Sequence, residues 1–109
     1  MADQRDREAL RTKLRAEVEH TEADALLPHH RRGALIVAAP DVDLLEAAVA
    51  IGADDVGAIE GLLGQGRLFK PTLGQVANWC ADRAQRFQFV IVQPYVLAQP
   101  LPKPDRMLN

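Results

Sequence analysis

The chain has 109 residues, 48% of them hydrophobic, 26% charged and 5% aromatic, and 13 Lys plus Arg against 15 Asp plus Glu give a formal net charge of -2. High apolar content and low net charge exclude disorder over most of the chain, and the composition excludes collagen-like and disulfide scaffolds. The near-neutral charge also removes the electrostatic case for nucleic acid or an anionic membrane as the main partner.

This length predicts a single domain, placed at residues 1–99, with residues 100–109 as a Pro-rich mobile tail. Cys80 is the single cysteine, so no disulfide forms within the chain. The opening run from Met1 to Glu8 is too charged for the apolar centre of a signal peptide. The longest uncharged apolar stretch, Gly33 to Pro40, is too short to span a bilayer. The expectation is a cytoplasmic protein with no membrane partner.

Asp3 to His20 reads as a helix, because Leu10, Leu14 and Val18 recur every four residues and share a face. Thr21 or Asp24 then caps a shorter helix running toward Gly33, and Pro28 forces that helix to start late or bend. Ala34 to Ala39, bounded by Gly33 and Pro40, reads as a buried strand. Asp41 reads as the N-cap of a helix that ends at Gly52, with Asp43 and Glu46 in its first turn.

Asp54-Asp55 restarts the chain as a helix with Val56, Ile59, Leu62 and Leu63 as its core face and Gly66 as its stop. Gly57, Gly61 and Gly64 weaken it, by about 0.8–1.0 kcal/mol each relative to Ala in an exposed interior. Arg67 to Lys70 is a short strand candidate. Thr72 caps the next helix, on which Leu73, Val76, Ala77, Cys80 and Ala84 share a face with Trp79 at its margin. Phe87 to Gln93 is the clearest strand, rich in β-branched and aromatic residues, and Tyr95 to Ala98 continues it beyond Pro94. A tight hairpin at Gln93-Pro94 is not expected, because two-residue hairpins favour Gly or Asn with positive φ. Gln99 to Pro104, with alternate prolines, reads as an extended tail. The fold class is α+β: a small three- to four-stranded sheet with about five helices clustered on one side. These include a helix-turn-helix-like pair, Asp41 to Gly52 and Asp54 to Gln65, followed by the Arg67 to Lys70 strand.

Lys13-Leu14, Glu17, Gly33-Ala34-Leu35, Val42-Asp43-Leu44-Leu45-Glu46, Ala50, Asp54-Asp55, Leu62, Gly66-Arg67-Leu68 and Trp79 form a pattern that ends on Val90 to Gln99. From Leu10 to Leu101 this pattern resembles a small bacterial family of unknown function, domain of unknown function 2288. The family has Trp where this chain has Tyr95, and Trp-x-Glu-Leu where this chain has Ala23-Asp24-Ala25-Leu26. The resemblance implies a cytosolic bacterial protein. It supplies no activity, no cofactor and no catalytic residue.

His29-His30 beside Arg31-Arg32 is the most conspicuous cluster. Adjacent residues on a helix point about 100° apart, so the two imidazoles do not form the i, i+4 pair that holds one metal ion. A basic helix end meeting the carbonyl dipole explains them. Cys80 as a nucleophile needs a base and an open electropositive site, and its apolar register places it in the core instead. The pairs Asp41/Asp43 and Asp54/Asp55 sit where helices begin, so capping accounts for them. Gly61 to Gly66 lacks the Lys and Ser/Thr of a phosphate-binding loop. A DNA reader shows Arg, Lys, Asn or Gln on the exposed face of its second helix; here that helix offers Asp55, Glu60, Gln65 and glycines, and its acids would repel phosphate.

No catalytic, cofactor-binding or metal-binding residue is assigned, and no cofactor is expected. The leading expectation is a non-enzymatic protein-interaction or regulatory module acting as a homodimer. Its interaction surface is placed at Trp79, Tyr95, Val96 and Leu97, because the apolar run beyond Phe87 has two faces to cover and aromatic anchors are enriched at interfaces. The alternative is a small-molecule or metal binder, or an enzyme, with a site near His29 and His30. The third is a nucleic-acid module using Arg5, Arg7, Arg11, Lys13 and Arg15, whose interleaved acids mark a solvated face instead.

Overall fold

The apolar runs of the sequence assemble into one five-stranded sheet in a computed structural model that describes residues 4–103. The elements in chain order are α1 (Gln4–Glu17), β1 (Glu19–Glu22), a 3-10 turn (Ala23–Leu26), α2 (Leu27–Arg31), β2 (Leu35–Ala38), α3 (Leu44–Gly52), α4 (Val56–Gly64), β3 (Leu68–Phe69), α5 (Leu73–Ala81), β4 (Arg86–Val92) and β5 (Tyr95–Pro100). The strand order is β1-β4-β5-β2-β3. Only β2 and β5 run parallel; the other neighbours are antiparallel. The α+β class stands, with one strand more than the three or four expected. Among the described residues, no helix is long and apolar enough to cross a membrane.

The extra strand is β1. The helix expected to reach His20 ends at Glu17, and Glu19 to Glu22 pair instead with Phe89 to Arg86 of β4. Nothing local marks this strand, since its residues Glu-His-Thr-Glu are polar and lack apolar alternation. It forms because β4 offers an open edge, and its charges suit an edge position. The same shift displaces the expected caps: Thr21 lies in β1, and neither Thr21 nor Asp24 caps α2. Pro28 falls in the first turn of α2, where a missing amide hydrogen costs nothing.

A tight hairpin does join β4 to β5. Val92 pairs with Tyr95 across Gln93 and Pro94, and the Gln93–Pro94 peptide bond is cis. Neither Gln93 nor Pro94 has a positive φ, so this turn does not need the Gly or Asn on which the expectation rested. Pro94 therefore sits in the turn and interrupts no ladder. Gln99 and Pro100, assigned to the tail by the sequence, complete β5, with Pro100 opposite Phe87. The ladder extends one step further: the Leu101 amide donates to the Arg86 carbonyl at 2.8 Å, and the Gln85 side chain donates to the Leu101 carbonyl at 3.0 Å. The tail from Pro104 to Asn109, and the expected helix start at Asp3, lie outside the described residues.

Both faces of the sheet are covered, so the helices are not clustered on one side. On one face Leu14 of α1 and Leu44, Ala47, Ala48 and Val49 of α3 pack on Ala38, Val90, Val92 and Leu97. On the other, Ala23 and Leu26 of the 3-10 turn, with Trp79 and Cys80 of α5, pack on Leu35, Val37, Phe87, Val96 and Ala98. Strands that read as continuous apolar runs have two faces to bury, and this sheet buries both at its centre. Gln99 is buried at 4% exposure and ties the layers: its amide donates to the Ala39 and Val42 carbonyls at 2.7 and 2.6 Å and accepts from Gln88 at 2.7 Å.

The apolar stripe on α5 is narrower than expected. Val76, Trp79 and Cys80 face inward, whereas Leu73 is 70% exposed and the helix ends before Ala84. Its cap is as expected: Thr72 and Gln75 exchange side chain-to-backbone hydrogen bonds at 3.1 and 2.9 Å, a capping box.

Candidate functional site

The part of the molecule left incompletely covered is the end of the sheet nearest the hairpin turn. It is framed by α3, α4 and the turn between them. Asp43, not Asp41, caps α3, accepting from the Leu45 and Glu46 amides at 3.0 and 3.2 Å. The turn that closes with the Val42 amide on the Ala39 carbonyl delays the helix by two residues, and Asp41 pairs with Arg67 at 2.9 Å.

The Asp54-Asp55 pair splits into a stop and a start. Asp54 adopts a left-handed conformation (φ 56°) beyond the end of α3, and its amide and that of Asp55 donate to the Ile51 and Ala50 carbonyls at 3.1 and 2.9 Å. This is the helix-ending position where Gly, Asn or Asp is tolerated. Asp55 caps α4 through the Ala58 amide at 3.2 Å, and its carboxylate holds Arg7 of α1 at 2.7 Å. The Arg7 guanidinium, then the Ala58 amide, holds the Asp55 carboxyl below the usual carboxylate range. Gly66 closes α4 with φ +70° and returns the chain to β3.

α4 exposes more apolar surface than a covering helix needs. Leu62 packs on the core, but Val56 and Leu63 are 54% and 51% exposed. Val56, Ile59 and Leu63 follow i, i+3, i+7 spacing and form one stripe, roughly 100° round the helix from Leu62. Between this stripe and the sheet lies a cleft of about 300 Å³. Ile51, Ile59 and Leu63 form its helix wall, and Ile36, Leu68, Phe69 and Tyr95 its sheet wall. Asp54 stands on the helix side and Lys70 on the sheet side. Tyr95 is 36% exposed.

The four residues expected to form one surface are separated. Along β5 side chains alternate, so Tyr95 and Leu97 face α3 while Val96 faces α5. Val96 and Leu97 are both 0% exposed and present no side chain to a partner. Trp79 lies on the α5 side, edge-on to Phe87 with ring centroids 5.2 Å apart and planes at 73°. Tyr95 alone of the four borders the cleft. The sequence reading missed Ile36, Asp54, Lys70 and Phe69 as its companions. The available signal was α4 itself, whose apolar residues span a wider arc than one core-facing stripe.

The other candidates are engaged elsewhere. His29 Nδ1 accepts from the Arg32 guanidinium at 2.9 Å, and Arg32 also reaches the Pro94 carbonyl at 3.4 Å. The cluster thereby ties the end of α2 to the hairpin turn. Among the described residues, no group of three or more His, Cys, Asp or Glu side chains is placed to hold a metal ion. Cys80 is half-buried, and burial, then the neighbouring Asp24 carboxylate, pushes its thiol pKa up, away from the thiolate a nucleophile requires. A second groove of about 430 Å³ runs beside α3 and α4, but its charged walls are paired: Arg7 with Asp55, Glu46 with Arg11 at 2.7 Å, and Arg67 with Asp41.

The profile of the family described as "Protein of unknown function (DUF2288)" matches residues 9–100. The chain is similar to the solution NMR structure of PA1075 from Pseudomonas aeruginosa, with 27% identity, a TM-score of 0.75 and 87% of each chain covered. No curated protein matches it.

Proposed function

The chain belongs to the DUF2288 family of proteins of unknown function, and we propose that it is a non-enzymatic protein-interaction module whose docking face is the α4 stripe together with the cleft beside Tyr95. The observation that carries this reading is the concentration of exposed apolar side chains there. Among the described residues, three of the five large exposed hydrophobic side chains, Val56, Leu63 and Tyr95, lie on or beside this one cleft. An apolar centre with an aromatic anchor and a charged rim, here Asp54 and Lys70, is the anatomy of a protein interface. Ile59 and Phe69 lie deeper in the cleft and give it the concavity in which anchor residues bind tightly.

The test is the hydrodynamic size of the tagged full-length chain in clarified bacterial extract, compared with its Leu63→Asp variant. Leu63 is half exposed, so the variant folds, as circular dichroism will verify. The native chain is expected to elute in an assembly larger than a monomer and the variant as a monomer. A native chain that elutes as a monomer in extract would refute the reading.

The cleft volume favours a second reading, since about 300 Å³ is at the lower end of small-ligand pockets. The binder anticipated near His29 and His30 would then sit at the cleft instead. A thermal-shift screen against small amphipathic metabolites tests it: bound ligands raise the melting temperature of the native chain, and Ile59→Trp, which fills the cleft, abolishes the shift.

A further inference from the structure

We infer that the occupant of this face is a second copy of the same chain, docked about a two-fold axis through the mouth of the cleft. The inference rests on the interaction reading above and adds the identity and register of the partner.

The charges at the rim carry it. Asp54 and Lys70 stand on opposite walls of the cleft, and neither makes an ion pair among the described residues. The nearby charges are different, since Asp55, Arg7, Asp41 and Arg67 are all paired. A two-fold axis through the mouth exchanges the two walls. Asp54 then faces Lys70 of the partner subunit, and the same pair forms a second time by symmetry. An isologous interface requires this kind of self-complementary patch, with an apolar centre flanked by one charge of each sign.

The α4 stripe fits the same operation. Exchange of the walls sets the α4 stripe of Val56, Ile59 and Leu63 against the sheet wall of the partner subunit, so the apolar walls of the two copies cover each other. The sheet edges do not offer a competing route. β1 has only four residues and β3 only two, so neither edge offers a long ladder. The formal net charge of -2 opposes self-association only weakly.

The experiment is sedimentation equilibrium on the purified full chain at high micromolar concentration. The native chain is expected at twice the monomer mass. Asp54→Lys places two cations at each rim contact and Lys70→Asp two anions, so each variant alone is expected to be monomeric. Mixed in equal amounts, the two variants restore both opposite-charge contacts and are expected to form a mixed dimer; the double variant D54K/K70D is expected to dimerise again. Asp54→Asn keeps a residue suited to the left-handed conformation and is expected to weaken the dimer roughly tenfold by removing two exposed pairs.

The outcomes separate the two readings. A native monomer in the pure state that still elutes as a larger assembly in extract, lost in Leu63→Asp, overturns self-pairing and leaves the interaction module standing. A dimer that survives Leu63→Asp and both charge variants overturns the face itself. Monomeric single variants that fail to rescue each other overturn the Asp54–Lys70 register.

Discussion

Asp55 shows how one side chain carries two structural tasks. It caps α4 and anchors Arg7 of α1, and both contacts favour its ionised form. Its folded pKa is therefore below its unfolded value, near 3.8. The stability it contributes is fully present above that unfolded value and is lost as pH falls through the folded one. In Asp55→Asn this contribution is absent, so urea stability measured at successive pH values is expected to fall less steeply on the acid side than in the native chain. Equal slopes would show that the Arg7 contact does not bias the titration. The doublet was legible in the sequence as a helix start. Its division was not, because only the left-handed Asp54 backbone distinguishes the end of α3 from the start of α4.

Helices give the clearest contrast between what local sequence specifies and what packing adds. The sequence made Asp41 the cap and put Asp43 in the first turn, yet only Asp43 bonds the free amides of α3. Asp43→Ala is expected to cost about 1 kcal/mol in urea unfolding. Asp41→Ala is expected to cost close to nothing, because its pair with Arg67 is exposed. A reversed order would restore Asp41 as the cap.

The glycines of these helices divide in the same way. A Cβ at Gly61 meets nothing within 4 Å, whereas one at Gly52 comes within 3.0 Å of Leu10 Cδ2. Gly61→Ala is expected to raise stability by up to about 1 kcal/mol through helix propensity alone. Gly52→Ala is expected to gain less, because Leu10 must shift to admit the methyl. Thermal melts of the two variants decide this, and a larger gain at Gly52 would mean that Leu10 yields freely. The weakness of α4 was legible in its glycines, but the tight contact at Gly52 was not, since it depends on a side chain 42 positions earlier.

The whole molecule is tied together by a residue that the sequence placed at the end of the family pattern but gave no structural task. Gln99 sits at the end of the central strand β5 and bonds the loop that leads into α3. Gln99→Leu puts an apolar residue of similar size in its place and leaves the Ala39 and Val42 carbonyls without this donor. A loss of about 1–3 kcal/mol in urea unfolding is expected. A neutral effect would show that water replaces the amide there.

At this scale the sequence by itself determined β2, β4 and β5, the helical segments 44–52, 56–64 and 73–81, and the Thr72 capping box. Each of these is encoded by short-range periodicity or by a cap within a few residues of what it stabilises. Only the tertiary structure decided the rest. β1 is a strand because β4 lies beside it, Val96 and Leu97 are buried because α5 and α3 cover opposite faces of β5, and Tyr95 borders a cleft because Ile51 of α3 and Ile59 and Leu63 of α4 form the wall across from it. Those outcomes depend on which surfaces meet, and the meeting residues lie tens of positions apart in the chain.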